Sequence, residues 1–184
     1  VSRGFRGPSF KERGWTFANV AAGYTIVGNP ELVPETSWAF DAAVAYAPWP
    51  TVTLEVAGFR NDVDNLIDFY TSGYTDAGLL IFTPTNIALA RTQGIEASAR
   101  WATGTWAVSA AYTYLDAKNL VDDLPLNRRA AHTGRLRGTK TWDLLHGLRA
   151  DVTALYTGAA PLVGEACGGG VEVTGEQGAF LQWN

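Results

Sequence analysis

"IEASARWATGTWAVSAAYTY", residues 95–114, contains two passes of chain joined by a tight turn. In the first pass Ile95, Ala97, Ala99 and Trp101 share one side, and Glu96, Ser98 and Arg100 share the other. After "ATG" (102–104), Trp106, Val108, Ala110, Tyr112 and Tyr114 stand opposite Ala107, Ser109, Ala111 and Thr113. A period of two over this length is the signature of β-strands with two unlike faces. Upstream, "WAFDAAVAY" (38–46) sets Trp38, Phe40, Ala42, Val44 and Tyr46 against Ala39, Asp41, Ala43 and Ala45. "APWP" (47–50) turns the chain into "VTLEV" (52–56), where Thr53 and Glu55 oppose Val52, Leu54 and Val56. Downstream, "RRAAHTGRLRG" (128–138) places Arg129, Thr133, Arg135 and Arg137 on the polar face. "DLLHGLRADVTALY" (143–156) sets Leu144, Leu148, Ala150, Val152, Ala154 and Tyr156 against Asp143, Arg149, Asp151 and Thr153, with His146 on the apolar side. The alternation slips near Gly58–Arg60 and Arg91–Gly94, which predicts bulges there, or strand ends beyond the apolar layer.

Composition agrees with an all-β chain. Charged residues make up 17% of the 184 residues, against about 25% in ordinary soluble domains. Seven Trp, seven Tyr and 20 Gly add aromatic strand residues and turn-formers. A net charge of −4 argues against a nucleic-acid partner, which wants a basic face. No apolar run reaches the roughly 18 residues of a membrane helix. The chain opens with no initiator Met and no signal peptide, and ends on "GAFLQWN", which looks like a strand cut short, so it reads as a fragment. The single cysteine, Cys167 in "GEACGGGVEVTG", is either a lone loop thiol or half of a loop disulfide whose partner lies outside the chain.

Connections between the strands follow a second rule. Short turns at 47–50, 102–104 and 138–142 alternate with long polar loops at about 62–86, 117–127 and 158–178, after an opening loop at 7–37. Short turns on one side and long loops on the other are the wiring of a transmembrane β-barrel, whose strands need about 9–11 residues to cross when tilted. Trp38, Tyr46, Trp101, Trp106, Tyr112, Tyr114 and Tyr156 sit at strand ends, where an interfacial aromatic girdle belongs. A secreted β-sandwich for adhesion or carbohydrate binding also alternates. A passive porin-like barrel is a third reading. Against the sandwich stand an apolar face built largely of Ala, Val and Leu, and the loop asymmetry over three hairpins.

"GFRGPSFKE" (4–12), "GNPELVPETSW" (28–38), "FRNDVDNLIDF" (59–69) and "NIALARTQGIEASARW" (86–101) occur in that order. Together they resemble the barrel domain of TonB-dependent outer-membrane receptors, closest to the cobalamin and siderophore branches. "LPLNRRAAHTGRLRG" (124–138) resembles the segment that leads from a loop into a downward strand. The resemblance implies that residues 1–184 are part of an antiparallel barrel with short periplasmic turns and long extracellular loops. It further implies about six full strands and two partial ones, out of roughly 22 in the parent barrel. The plug domain and closing strands are absent from the chain. The implied location is the Gram-negative outer membrane. The implied partners are membrane lipid, the plug of the same parent chain, the TonB energy-coupling complex through a missing N-terminal region, and a metal chelate or cobalamin. Pro8, Pro30 and Pro34 then serve as rigid loop corners.

For sites, the loop aromatics Trp15, Phe17, Tyr24, Phe69, Tyr70 and Tyr74 are the candidate ligand contacts, because amphipathic rings grip an organic ligand with little entropy loss. Asp41, Glu55, Glu96, Arg100, Arg129, Arg135, Arg137, Arg149 and Asp151 are expected to line the lumen. The acidic run "NDVDNLID" (61–68), with Asp62, Asp64 and Asp68, fails the calcium-loop template because Leu66 and Ile67 fall where an oxygen ligand and glycine are needed. His132 and His146 have no HExxH, Cys pair or nucleophile beside them. No nucleophile elbow, P-loop or dinucleotide fingerprint occurs. The chain therefore reads as a non-enzyme with no cofactor and no metal site.

Overall fold

The computed structural model describes residues 1–143, 147–165 and 171–183. Its strands are β1 (Ser2–Arg6), β2 (Thr16–Asn19), β3 (Tyr24–Val27), β4 (Glu35–Trp49), β5 (Val52–Tyr74), β6 (Leu80–Ala102), β7 (Trp106–Asn119), β8 (Leu124–Pro125), β9 (His132–Trp142), β10 (Leu148–Thr157), β11 (Ala160–Glu165), β12 (Val171–Gln177) and β13 (Phe180–Trp183). One short helix, α1 (Phe10–Gly14), starts on a Ser9 capping box closed by Glu12.

The wall is a single antiparallel sheet in the order β1-β4-β5-β6-β7-β9-β10-β13. Six long strands are flanked by two short ones at the edges, as expected, and the sheet is open. Register carries the two faces across all of them. Val44 pairs with Val56, Val56 with Ala97, Ala97 with Tyr112, Tyr112 with Gly134, Gly134 with Tyr156, and Tyr156 with Leu181. Among the described residues nothing covers this apolar row: Val44 is 72% exposed, Val56 54% and Leu181 53%. A soluble sandwich would bury that face against a second sheet. Here the only other sheet among the described residues is the β11–β12 hairpin.

The long loops are more ordered than expected. The stretch 62–86 is mostly strand, since β5 and β6 run 23 residues each and meet only at 75–79. At about 3.3 Å per residue they extend well past what a bilayer requires. Here Val63, Ile87 and Ala90 pack with Ala117 and Leu126 instead of continuing one outward apolar face, so a paired strand reads as a polar loop. Likewise 158–178 holds β11 and β12, the opening stretch 7–37 holds α1, β2 and β3, and β7 continues to Asn119. The turn placed at 138–142 is the end of β9, with Trp142 paired to Leu148, so the reversal comes after Trp142. Asp143 lies in that bend, and Leu144 and His146 lie outside the described residues, as does Cys167.

No bulge occurs at Gly58–Arg60 or Arg91–Gly94; the β5–β6 register runs through both without a shift. Gly94 is there for close approach. A Cβ on it would sit 2.0 Å from the Tyr114 carbonyl oxygen and 2.9 Å from Phe59 Cζ. The alternation breaks instead at Asn65, whose φ is +57°. Val63 and Leu66, three residues apart, thereby join one cluster with Ile87, Ala90, Ala117 and Leu126, the small apolar core at the long-loop end.

Candidate ligand site and lumen face

The opening segment is fastened to the β4–β5 end by polar contacts. Arg6 donates from Nη2 and Nε to the two Glu35 carboxylate oxygens at 2.7 Å each, and from Nη1 to Glu12 Oε1 at 2.9 Å. The Ile67 backbone N–H adds a 2.6 Å bond to Glu35 Oε1. Burial works against the charged form of Glu35, but Arg6 and the Ile67 N–H outweigh it and hold the carboxyl below its ordinary value. Asn29 donates to the Pro84 carbonyl at 3.1 Å. Asn86 exchanges bonds of 2.9 and 3.0 Å with the Val33 backbone.

This anchoring lays β3 alongside β6 in parallel, pairing Tyr24 with Leu80 and Ile26 with Phe82. A cavity of about 470 Å³ opens beside them, bounded by Tyr24, Phe69, Phe82, Asp68, Arg128 and Arg129. Tyr24 meets Phe82 edge-on at 6.0 Å, and the Arg128 guanidinium lies 5.5 Å over the Phe82 ring. Asn127 holds the 126–131 turn in place, donating to the Phe69 carbonyl at 3.1 Å and accepting from Val163 N–H at 3.2 Å. Asp68 Oδ1 accepts from Phe69 N–H at 2.8 Å, while its Oδ2 is buried without a hydrogen-bond partner among the described residues. Burial raises the Asp68 carboxyl above its ordinary value, against the pull of Arg129 and Arg128.

Two of the six aromatic candidates, Tyr24 and Phe69, therefore meet in one cavity. Trp15 and Phe17 stack on each other at 5.2 Å, with Lys11 Nζ 5.2 Å above Trp15. Tyr70 packs against the small core, and burial first, then Asp68 and Asp122, push its phenol up to about 12. Tyr74 stands exposed at the end of β5. The sequence reading missed Phe82, Asp68 and Arg128 as cavity residues. Arg128 was within reach in "LPLNRR", but its φ of +55° and the 2.8 Å bond from its N–H to the Pro161 carbonyl are tertiary facts. Asp62 and Asp64 do not join Asp68; Asp62 sits between Arg60 and Arg91.

Register places Asp41, Glu55, Glu96, Arg100, Arg135, Arg137, Arg149 and Asp151 on one face of the wall. Arg129 is a correction: β9 begins at His132, so Arg129 lies in the preceding turn and borders the cavity instead. Asp151 gathers Arg137 at 2.7 Å, Arg149 at 2.8 Å and the Thr139 hydroxyl at 2.7 Å. Arg137, Thr139, Arg149 and Arg100 border a second hollow of about 350 Å³ near the short turns.

Residues 1–184 match the family model described as TonB dependent receptor-like, beta-barrel. Among solved structures, a mutant ferric enterobactin receptor from Pseudomonas aeruginosa in complex with enterobactin is 20% identical at a TM-score of 0.66, covering 98% of this chain and 29% of that one. The copper transporter OprC is 18% identical at 0.64, covering 98% of this chain and 26% of that one. The siderophore receptor PirA from Acinetobacter baumannii is 18% identical at 0.59, covering 87% and 26%. The chain thus spans between a quarter and three tenths of the length of these proteins.

Proposed function

The chain belongs to the TonB-dependent receptor β-barrel family, and from that premise we propose that it is a stretch of the wall and outer loops of a receptor for active uptake of a scarce nutrient. Receptor barrels of this family are outer-membrane proteins of Gram-negative bacteria. The nutrient we propose is a metal chelate such as an iron–siderophore complex, with cobalamin as the alternative. The observation that carries this reading is the uncovered apolar row from Val44 to Leu181, in register across seven strands. Only hydrocarbon covers such a row without a packed second layer.

The opposite face, with Arg100, Arg135, Arg137, Arg149, Asp41, Glu55, Glu96 and Asp151, then faces the lumen, toward water or the plug of the same parent chain. Energy reaches such a plug from the TonB complex through a region outside this chain. The cavity between Tyr24, Phe69, Phe82, Arg128 and Arg129 is the proposed ligand-contact region. Three aromatic walls and two guanidiniums suit an anionic, ring-bearing chelate. The role is transport, not catalysis.

Spin labels at Val108 and Ala110, and at Ser109 and Ala111, in the intact parent protein test the wall. Alternating accessibility to a lipid-soluble relaxer is expected, high at the first pair and low at the second. Uniform accessibility would sink the reading.

A further inference from the structure

Arg128 reaches the cavity from a backbone conformation that few side chains adopt. Its φ of +55° lies in the left-handed region that favours glycine. Its guanidinium nevertheless stands 5.5 Å over the Phe82 ring. Arg128 is exposed, and a cation over a ring is a weak contact at a solvated site, so the ring alone does not hold it. The backbone beneath it does. A strained conformation persists only where its surroundings over-determine it. On one side Leu126 is 1% exposed, and its N–H donates to the Ala117 carbonyl at 2.9 Å. On the other, the Arg128 N–H donates to the Pro161 carbonyl at 2.8 Å.

Between them the Asn127 amide spans two separate elements. Its Nδ2 donates to the Phe69 carbonyl on β5 at 3.1 Å, and its Oδ1 accepts from the Val163 N–H on β11 at 3.2 Å. Both ends are firm. Phe69 is paired with Pro84 in the ribbon, and Val163 is 3% exposed. The β11–β12 register shifts between Leu162 and Val163, and such a shift disrupts the ladder locally. The Asn127 oxygen meets the N–H at that place.

Resting on the ligand reading above, we propose that Asn127 is a positioning residue for anion binding: by bridging β5 and β11 it sets the Arg128 guanidinium over Phe82. A hairpin in the 158–178 stretch thereby tunes the affinity of a cavity lined by other segments. The chemistry lies in the guanidinium, whose paired N–H donors match two oxygens only when its plane is fixed. A loosened turn keeps the positive charge nearby but loses that match. Removing Asn127 therefore weakens an anion less than removing the charge does.

The test uses the full-length receptor, with the ferric tris-catecholate trianion as the probe of affinity and para-fluorophenylalanine in place of Phe82 as the probe of the guanidinium. Arg128→Gln should move the fluorine resonance of the unliganded receptor and weaken binding of the trianion about five- to thirtyfold. Asn127→Ala should move the resonance in the same direction and weaken binding by part of that factor. On the Arg128→Gln background, Asn127→Ala should weaken binding no further, because it acts through the group already removed. Asn127→Ser, too short to reach both partners, replaces Asn127→Ala if that variant gives no folded barrel. A resonance that ignores the Asn127 variants would overturn the positioning role. So would unchanged affinity in them beside a weakened Arg128→Gln, or losses that multiply in the double variant. An affinity indifferent to Arg128→Gln overturns the ligand reading itself, whatever the resonance does.

Discussion

Arg6 and Glu35 meet end to end across the β1–β4 pair, with both guanidinium-to-carboxylate bonds at 2.7 Å. Glu35 is 11% exposed at its side chain and Arg6 47%. The pair ties the first strand to the ribbon, because Glu35 also holds the Ile67 N–H. Arg6→Ala leaves a nearly buried carboxylate short of its cation. After allowance for the solvent around Arg6, the expected cost is about 1–2 kcal/mol. Because the folded carboxyl titrates below its ordinary value, this stabilisation is complete above about pH 4.5 and is lost as pH falls through the lower, folded value. Limited proteolysis of the 7–34 segment should accelerate on acidification in the parent protein. In Arg6→Ala it should be fast already near pH 7, and a pH-independent rate in the parent would refute the account.

Gly94 and Gly58 predict opposite outcomes from the same substitution. Gly94→Ala drives a methyl group into the Tyr114 carbonyl oxygen and Phe59, whereas Gly58→Ala points into open space. Overpacking costs typically about 1–3 kcal/mol, and a backbone contact at this distance belongs at the upper end or beyond. The folded barrel band on unheated gels should weaken for Gly94→Ala and stay intact for Gly58→Ala.

How much of this was legible in the sequence follows from what surrounds each residue. From Trp38 to Tyr46, Val52 to Val56 and Ile95 to Trp101, one face is apolar and the other polar, so the side chains themselves record the strand, whereas 47–49, read as part of a turn, continue β4. Past Asp62 the β5–β6 ribbon buries Val63, Ile67, Ile87 and Ala90 under the outer segments, and Asn65 breaks the period. Its pairing is carried by backbone bonds that any side chain permits, and "NDVDNLID" consequently read as a loop. The turn after β9 was misplaced because "GTKTW" is polar without being a turn: Thr139 and Thr141 point to the polar face beside Asp151 and Arg149. The cavity was half legible. Aromatic residues in the outer segments could be named, but the meeting of Tyr24 with Phe69 depends on β3 adding to the edge of β6, a contact between distant parts of the chain.

Charge placed on the two faces should separate them by energy. Val44 lies midway along the apolar face of β4, and Ala43, paired with Ala57, lies on the other face. Val44→Arg is expected to cost about 2–4 kcal/mol, the range for a cation facing lipid at mid-bilayer, and Ala43→Arg well under that. Urea titration of the parent barrel in lipid vesicles measures the difference. Equal costs would mean that the apolar row does not face the membrane core.

Asp68 supplies the sharpest test of the cavity, because its charge opposes the proposed ligand. Arg128 and Arg129 contribute two positive charges there and Asp68 one negative charge, with Oδ2 buried and without a hydrogen-bond partner among the described residues. Burial raises the Asp68 carboxyl, so its charged form destabilises the fold as pH rises from its ordinary value through the folded one. Asp68→Asn removes that penalty and leaves both guanidiniums for an anion. The variant should bind a ferric catecholate more tightly, by about five- to thirtyfold for a gain of about 1–2 kcal/mol, and Arg128→Gln should weaken binding by a similar factor. Fluorescence quenching on the parent receptor reads both. A cavity that merely packs the loops would leave affinity unchanged in each variant, and a ligand without negative charge would respond to neither substitution in the expected direction.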